Sequence, residues 1–182
     1  MDVQSLFQAY FKAAPTISAR APGRVNLMGA HVDFNDGLVL PAAIDRAVYL
    51  AGAADADNMV TLYAHDLEAQ TRFQLDALEA KADINGDPLP DWALYPAGVA
   101  WSLQKAGLEV SGLNAVYTSD IPVGAGLSSS AAVEVAFAVA WRALGGLEID
   151  SMRLAQLCQR AENEYVGVAS GLMDQFASLH GV

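Results

Sequence analysis

Pro122-Val123-Gly124-Ala125-Gly126-Leu127-Ser128-Ser129-Ser130-Ala131-Ala132 is the stretch whose reading decides the fold. Upstream, Leu113–Thr118 reads as a strand. Downstream, Ser128 or Ser129 caps an apolar helix that runs to about Leu144 and stops at Gly145-Gly146. Small loop residues let backbone approach a ligand closely, and the next helix points free N–H groups at an anion. Hydroxyls in the first turn can add hydrogen bonds or coordinate a hard cation. The physical reading is a phosphate cradle, although an ordinary capped helix after a glycine turn fits the same letters. Two other loops are excluded. A Walker A loop needs Lys before Ser/Thr, and a dinucleotide fingerprint needs a third glycine where Ser129 stands.

Outward from this loop the periodicity differs on the two sides. Residues 2–13 read as a short amphipathic helix with Val3, Leu6, Phe7, Tyr10 and Phe11 on one face. Thr16–Arg20 and Arg24–Met28 read as strands around a turn at Ala21-Pro22-Gly23, and Arg46–Ala54, Met59–His65 and Thr71–Leu75 as further strands. Asn85-Gly86-Asp87-Pro88 marks a loop, after which the period becomes about 3.6. Trp92–Ala106 is a helix ending at Gly107, Ile149–Tyr165 another capped by Asp150 or Ser151, and Phe176–His180 a final strand. The alternation predicts a mixed α/β or α+β domain.

Composition bounds the function. The chain has 182 residues, about one domain at ~150 residues each. It is 53% hydrophobic and 17% charged, which excludes a disordered chain. Ten basic against 21 acidic residues give −11, a balance that argues against nucleic acid as a partner but leaves room for a small anion held locally. The apolar run Ala131–Trp141 carries Glu134 and falls far short of the ~20 residues a bilayer needs. Met1-Asp2-Val3-Gln4 has no basic, apolar leader, and the single cysteine, Cys158, fits a reducing compartment. The expectation is a cytoplasmic protein without a membrane partner.

Two further segments are rich in polar groups set among apolar ones. Arg24 to Pro41 holds Arg24, Asn26, His31, Asp33, Asn35 and Asp36. Unsatisfied buried polar groups cost about 1–3 kcal/mol each, and a polyhydroxylated ligand would satisfy them. Glu162 to Ser178 carries Asp174 among Leu172, Met173 and Phe176, where it reads as a base or positioning group for a hydroxyl, or as a turn cap. Glu162 and Glu164 read as a solvated helix face. His31, His65, His180 and Cys158 form no zinc pattern.

The three segments in this order resemble the GHMP small-molecule kinases, and within them the galactokinase type. Gly23-Arg24-Val25-Asn26-Leu27-Met28-Gly29-x-His31-x-Asp33-x-Asn35 is similar to the galactokinase signature. Pro122 to Ala132 is similar to the family's phosphate loop, and Gly171-Leu172-Met173-Asp174-Gln175-Phe176 to its third segment. The resemblance implies an α+β fold, a mixed sheet with helices on one side and a left-handed β-α-β unit, over residues 1–182. It also implies ATP-dependent phosphorylation of a sugar at its anomeric hydroxyl. Asp174 would face that hydroxyl with Arg24 beside it, stabilising the transferring charge. Gly124, Ala125, Gly126, Leu127, Ser128, Ser129 and Ser130 would cradle the ATP phosphates, and Trp92 would lie against adenine. Ser130 and Glu162 would hold Mg²⁺. Asp33, His31 and Gly171 would contact the sugar.

Two departures qualify the resemblance. Galactokinases carry Glu before the signature His, where it contacts the sugar's 6-hydroxyl; here Ala30 stands there. Galacturonate kinases also resemble this pattern with Ala before His, so a uronic acid is the alternative substrate. A non-catalytic sugar or nucleotide sensor is a third reading, against which Arg24, Ser130, Glu162 and Asp174 together speak. The second departure is length: galactokinases are roughly twice as long, which implies a fragment lacking the domain that closes the cleft.

Overall fold

The computed structural model describes residues 2–29, 37–122 and 124–181. Five strands, β1 (Ile17–Met28), β2 (Leu40–Asp55), β3 (Met59–Ala64), β4 (Ala69–Gln74) and β5 (Gly112–Ser119), form one sheet in the order β1-β2-β5-β3-β4. All neighbours are antiparallel except β3 and β5, which run parallel. A parallel pair needs a crossover, supplied through β4 and helix α2 (Asp91–Lys105). The other helices are α1 (Val3–Phe11), α3 (Ser129–Gly145), α4 (Ser151–Arg160) and α5 (Met173–His180). The expected α+β class with a mixed sheet is borne out. Among the described residues no helix is long and apolar enough to cross a membrane.

Period-two alternation sorts the strand side chains onto two faces. Val48 and Leu50, Val60, Leu62 and Ala64, and Leu113, Ala115 and Tyr117 join one core with α2, α3 and α4. The intervening Ala51 and Val116 meet Val3, Leu6 and Phe7 of α1 on the opposite face. Helices α3 and α5 lie against β1 and β2, with α4 packed behind them. The stack of helices on one side is therefore as expected, with α1 added as a cover for the other.

Three elements differ from the sequence expectation. Ala21-Pro22-Gly23 is not a turn: β1 runs straight through it, with a register shift between Pro22 and Arg24 opposite β2. An edge strand tolerates a proline because one row of its backbone groups has no strand partner. Phe176–His180 is the end of helix α5 rather than a strand; a five-residue apolar run carries too little periodicity to separate the two. The helix expected over Ile149–Tyr165 is α4 followed by a π-helical turn at Ala161–Val166. Asp150 caps α4 as expected, accepting from the Arg153 N–H at 2.9 Å.

Candidate active site

The site forms where β1, the glycine-serine loop and α5 converge. Gly23 makes the convergence possible: a Cβ built there would stand 2.7 Å from the Leu127 carbonyl oxygen. Next to it, the Arg24 N–H leaves the free edge of β1 and donates to that same carbonyl at 3.1 Å. The loop thereby docks on the sheet edge. Gly126, with φ +69°, makes the turn into α3.

Arg24 then forks onto Asp174 in the first turn of α5. Nε donates to Oδ1 at 2.7 Å and Nη2 to Oδ2 at 2.8 Å, while Nη1 donates to the Gly126 carbonyl at 2.8 Å. The Arg24 and Asp174 side chains are only 14% and 23% exposed, so solvent screens the pair less than a surface ion pair. Ser128 Oγ donates to Asp174 Oδ2. Ser128 was expected as a possible helix cap; it does stand at the N-cap, in the left-handed region with φ 58°, but its hydroxyl serves Asp174 rather than the helix. The backbone N–H groups of the first turn of α3 are left open to a ligand. A cleft of about 290 Å³ lies here, lined by Arg24, Gly124 to Ser130 and Asp174.

A second cluster sits behind the loop. Glu162 does not form the solvated face its sequence suggested. The π-helical turn buries it, while Glu164 stays exposed and accepts from Arg160 at 3.0 Å. Such turns widen a helix locally and recur at functional sites. Ser130 Oγ donates to Glu162 Oε1 at 3.2 Å, and Ser170 Oγ and Gln175 Nε2 donate to Oε2 at 2.6 and 2.8 Å. Gln175 Nε2 also donates to Glu134 Oε2 at 3.0 Å. Burial pushes the Glu134 carboxyl well above the usual range, and the nearby Glu162 charge adds to this while the Gln175 N–H opposes it. Sequence reasoning missed Glu134, Gln175 and Ser170 as site residues. A signal existed for Glu134: it is the lone charge in the apolar run Ala131–Trp141, four residues after Ser130.

Two family models match the chain. The GHMP kinases N terminal domain covers residues 95–182, and the galactokinase galactose-binding signature covers residues 5–54. The galactokinase of Roseiflexus is 42% identical over 180 residues, and that of Streptomyces coelicolor is 43% identical over 173. The chain belongs to the GHMP kinases. It spans less than half the length of these relatives, 44% and 43%. Among solved structures, Lactococcus lactis galactokinase complexed with galactose superposes on 98% of this GHMP kinase chain with a TM-score of 0.87 at 33% identity, 45% of its own chain being matched. Methanococcus jannaschii mevalonate kinase, at 20% identity and a TM-score of 0.72 over 91% of this chain and 51% of its own, shares the fold.

Of the residues expected in a GHMP kinase site, Arg24, the loop from Gly124 to Ser130, Glu162 and Asp174 come together. Gly171 is buried just before α5. Trp92 packs against Tyr117, ring centroids 6.2 Å apart, and does not line the loop cleft. Ala30, His31 and Asp33 lie outside the described residues.

Proposed function

We propose that this chain is the N-terminal domain of an ATP-dependent sugar kinase of galactokinase type, which phosphorylates the anomeric hydroxyl of galactose. The observation that carries the reading is the Arg24–Asp174 fork opening directly onto the glycine-serine loop. The loop amides and the α3 N-terminus bind the phosphates of ATP. Asp174 faces the sugar hydroxyl. A carboxylate has about four acceptor sites, and three are engaged by Arg24 and Ser128, which leaves one for the hydroxyl. Asp174 orients that oxygen toward the terminal phosphorus and takes its proton as the new O–P bond forms and ADP departs. Arg24 fixes Asp174 and sets positive charge beside the transferring group.

Mg²⁺ belongs to this reading. Ser130 Oγ and Glu162 Oε1 are hard oxygen donors side by side at the end of the phosphate loop, and they fit the ion. No group of three or more acidic, histidine or cysteine residues among the described residues is placed to hold a metal ion by itself. Mg²⁺ needs none, since it keeps waters and takes phosphate oxygens. When bound, the ion neutralises charge on the phosphates. Sugar and ATP are the partners, Trp92 is the candidate neighbour of adenine, and the buried lone thiol of Cys158 suits the cytoplasm.

The test is Mg²⁺-dependent ATP turnover against galactose, galacturonate, glucose and arabinose, using both the 182-residue chain and the longest reading frame that contains it. Galactose turnover by the longer form supports the proposal, and silence from that form with every sugar refutes it. Ala30 favours a second reading, galacturonate, because it removes a carboxylate acceptor that would repel a uronic acid. Ala30→Glu should then shift the kcat/KM ratio toward galactose by tenfold or more, about the discrimination one polar contact provides. An unchanged ratio sinks the idea that this position selects.

A further inference from the structure

Four side chains behind the loop close a ring. Ser130 and Glu134 stand four residues apart on α3, hence on one helix face. Ser130 reaches Glu162 directly, and Glu134 reaches it through the carboxamide of Gln175. The two N–H bonds of one nitrogen, Gln175 Nε2, go to two different carboxyl groups. The amide is therefore fixed, since a flip would set its oxygen against both acceptors. Glu134 and Gln175 are fully buried. A core built for stability alone would place apolar residues here, because buried ionic and polar clusters are often no more stable than packed hydrocarbon. What the ring delivers is direction: Oε2 of Glu162 is held from behind, and Oε1 is left pointing at Ser130.

We propose that Gln175 and Glu134 are positioning residues that set the orientation of Glu162 as a metal ligand. The proposal rests on the reading of Ser130 and Glu162 as the Mg²⁺ pair. Gln175 is also the neighbour of Asp174 on α5, so the amide nitrogen that aims Glu162 also ties the helix carrying Asp174 to α3, through its second N–H to Glu134. The two halves of the chemistry, phosphate binding and hydroxyl orientation, thereby share one anchor.

The test measures binding of a non-hydrolysable ATP analogue to the full chain, once with Mn²⁺ (read by electron paramagnetic resonance) and once in EDTA. Q175M and E134L should weaken binding of the Mn²⁺ complex by tenfold or more, the usual range for residues behind a metal ligand. Metal-free binding should stay within twofold. E134Q keeps an acceptor oxygen for Gln175 and should restore Mn²⁺-dependent binding to within threefold. Equal losses with and without metal, or E134Q behaving as E134L, would overturn the proposal in favour of plain packing. If Q175M does not fold, E134L and E134Q carry the same comparison with Gln175 in place. E162Q separates the two levels of the argument. If it leaves Mn²⁺ binding intact, the metal-ligand reading falls and the anchor with it. If E162Q loses metal affinity while Q175M and E134L do not, the anchor alone falls.

Discussion

Asp174 receives three hydrogen bonds on two oxygens from two directions, Arg24 on β1 and Ser128 at the head of α3. Its role in the proposed reaction lies at the transition state, so Asp174→Ala should lower kcat by at least about 100-fold, the low end for a positioned proton acceptor. Nucleotide affinity should change little, and comparable turnover in that variant would refute the assignment. Ser128 poses a separate question, because a non-glycine residue holds φ 58° there. The left-handed region costs about 1–2 kcal/mol for a residue with a Cβ. Ser128→Gly and Ser128→Ala both lose the donor to Asp174, but only glycine sheds the strain. Urea unfolding should find the glycine variant more stable than the alanine variant by roughly 1 kcal/mol. A reversed order would mean that the surrounding loop moves to absorb the Cβ.

Among the elements, the junction of β1 with the glycine loop is the most demanding. Gly23 leaves no room for a methyl group in front of the Leu127 carbonyl, and the obstacle is backbone, which cannot rotate away. Gly23→Ala should therefore cost about 1–3 kcal/mol by overpacking, measured by chemical denaturation. It should also weaken ATP binding, because the loop is displaced from the edge that seats it. A loss of stability with nucleotide affinity intact would show that the loop holds its shape without the edge. The same junction explains what was and was not legible from sequence. Pro22-Gly23 carries the letters of a turn, and only the position of β1 at the sheet edge, a tertiary fact, turns them into a bulge. Helix α3 was legible to within a residue, since its apolar length and Gly145-Gly146 stop are local signals. Helix α5 was not, because its eight residues are held by neighbours and not by their own pattern. The inward turn of Glu162 depends on a π-helical turn that no local propensity announces.

Across the whole molecule the site draws its residues from both ends of the chain, with Arg24 and Asp174 separated by 150 positions. The family resemblance named those two residues and the loop between them. It was silent on the buried network that ties them together, because Glu134 and Gln175 reveal their partners only once α3 and α5 are packed. That packing has a consequence for pH. A carboxyl whose value is raised by folding holds its proton in the native state while the unfolded chain releases it near 4.5. Between that value and the raised one the native state binds more protons, so the Glu134 contribution makes stability fall as pH rises. The slope can reach about 1.4 kcal/mol per pH unit for one proton. Glu162 and Asp174 face Glu134 and raise its value further, which widens that pH window, while the Gln175 hydrogen bond narrows it. Glu134→Gln removes the proton exchange but keeps the shape and the acceptor. Urea unfolding of both proteins at pH 5, 6, 7 and 8 should therefore show the variant gaining on the wild type as pH rises from 5, until the raised value is passed. Parallel curves would mean that Glu134 carries no proton in the folded chain, and that its charge is compensated inside the core by the Gln175 amide alone.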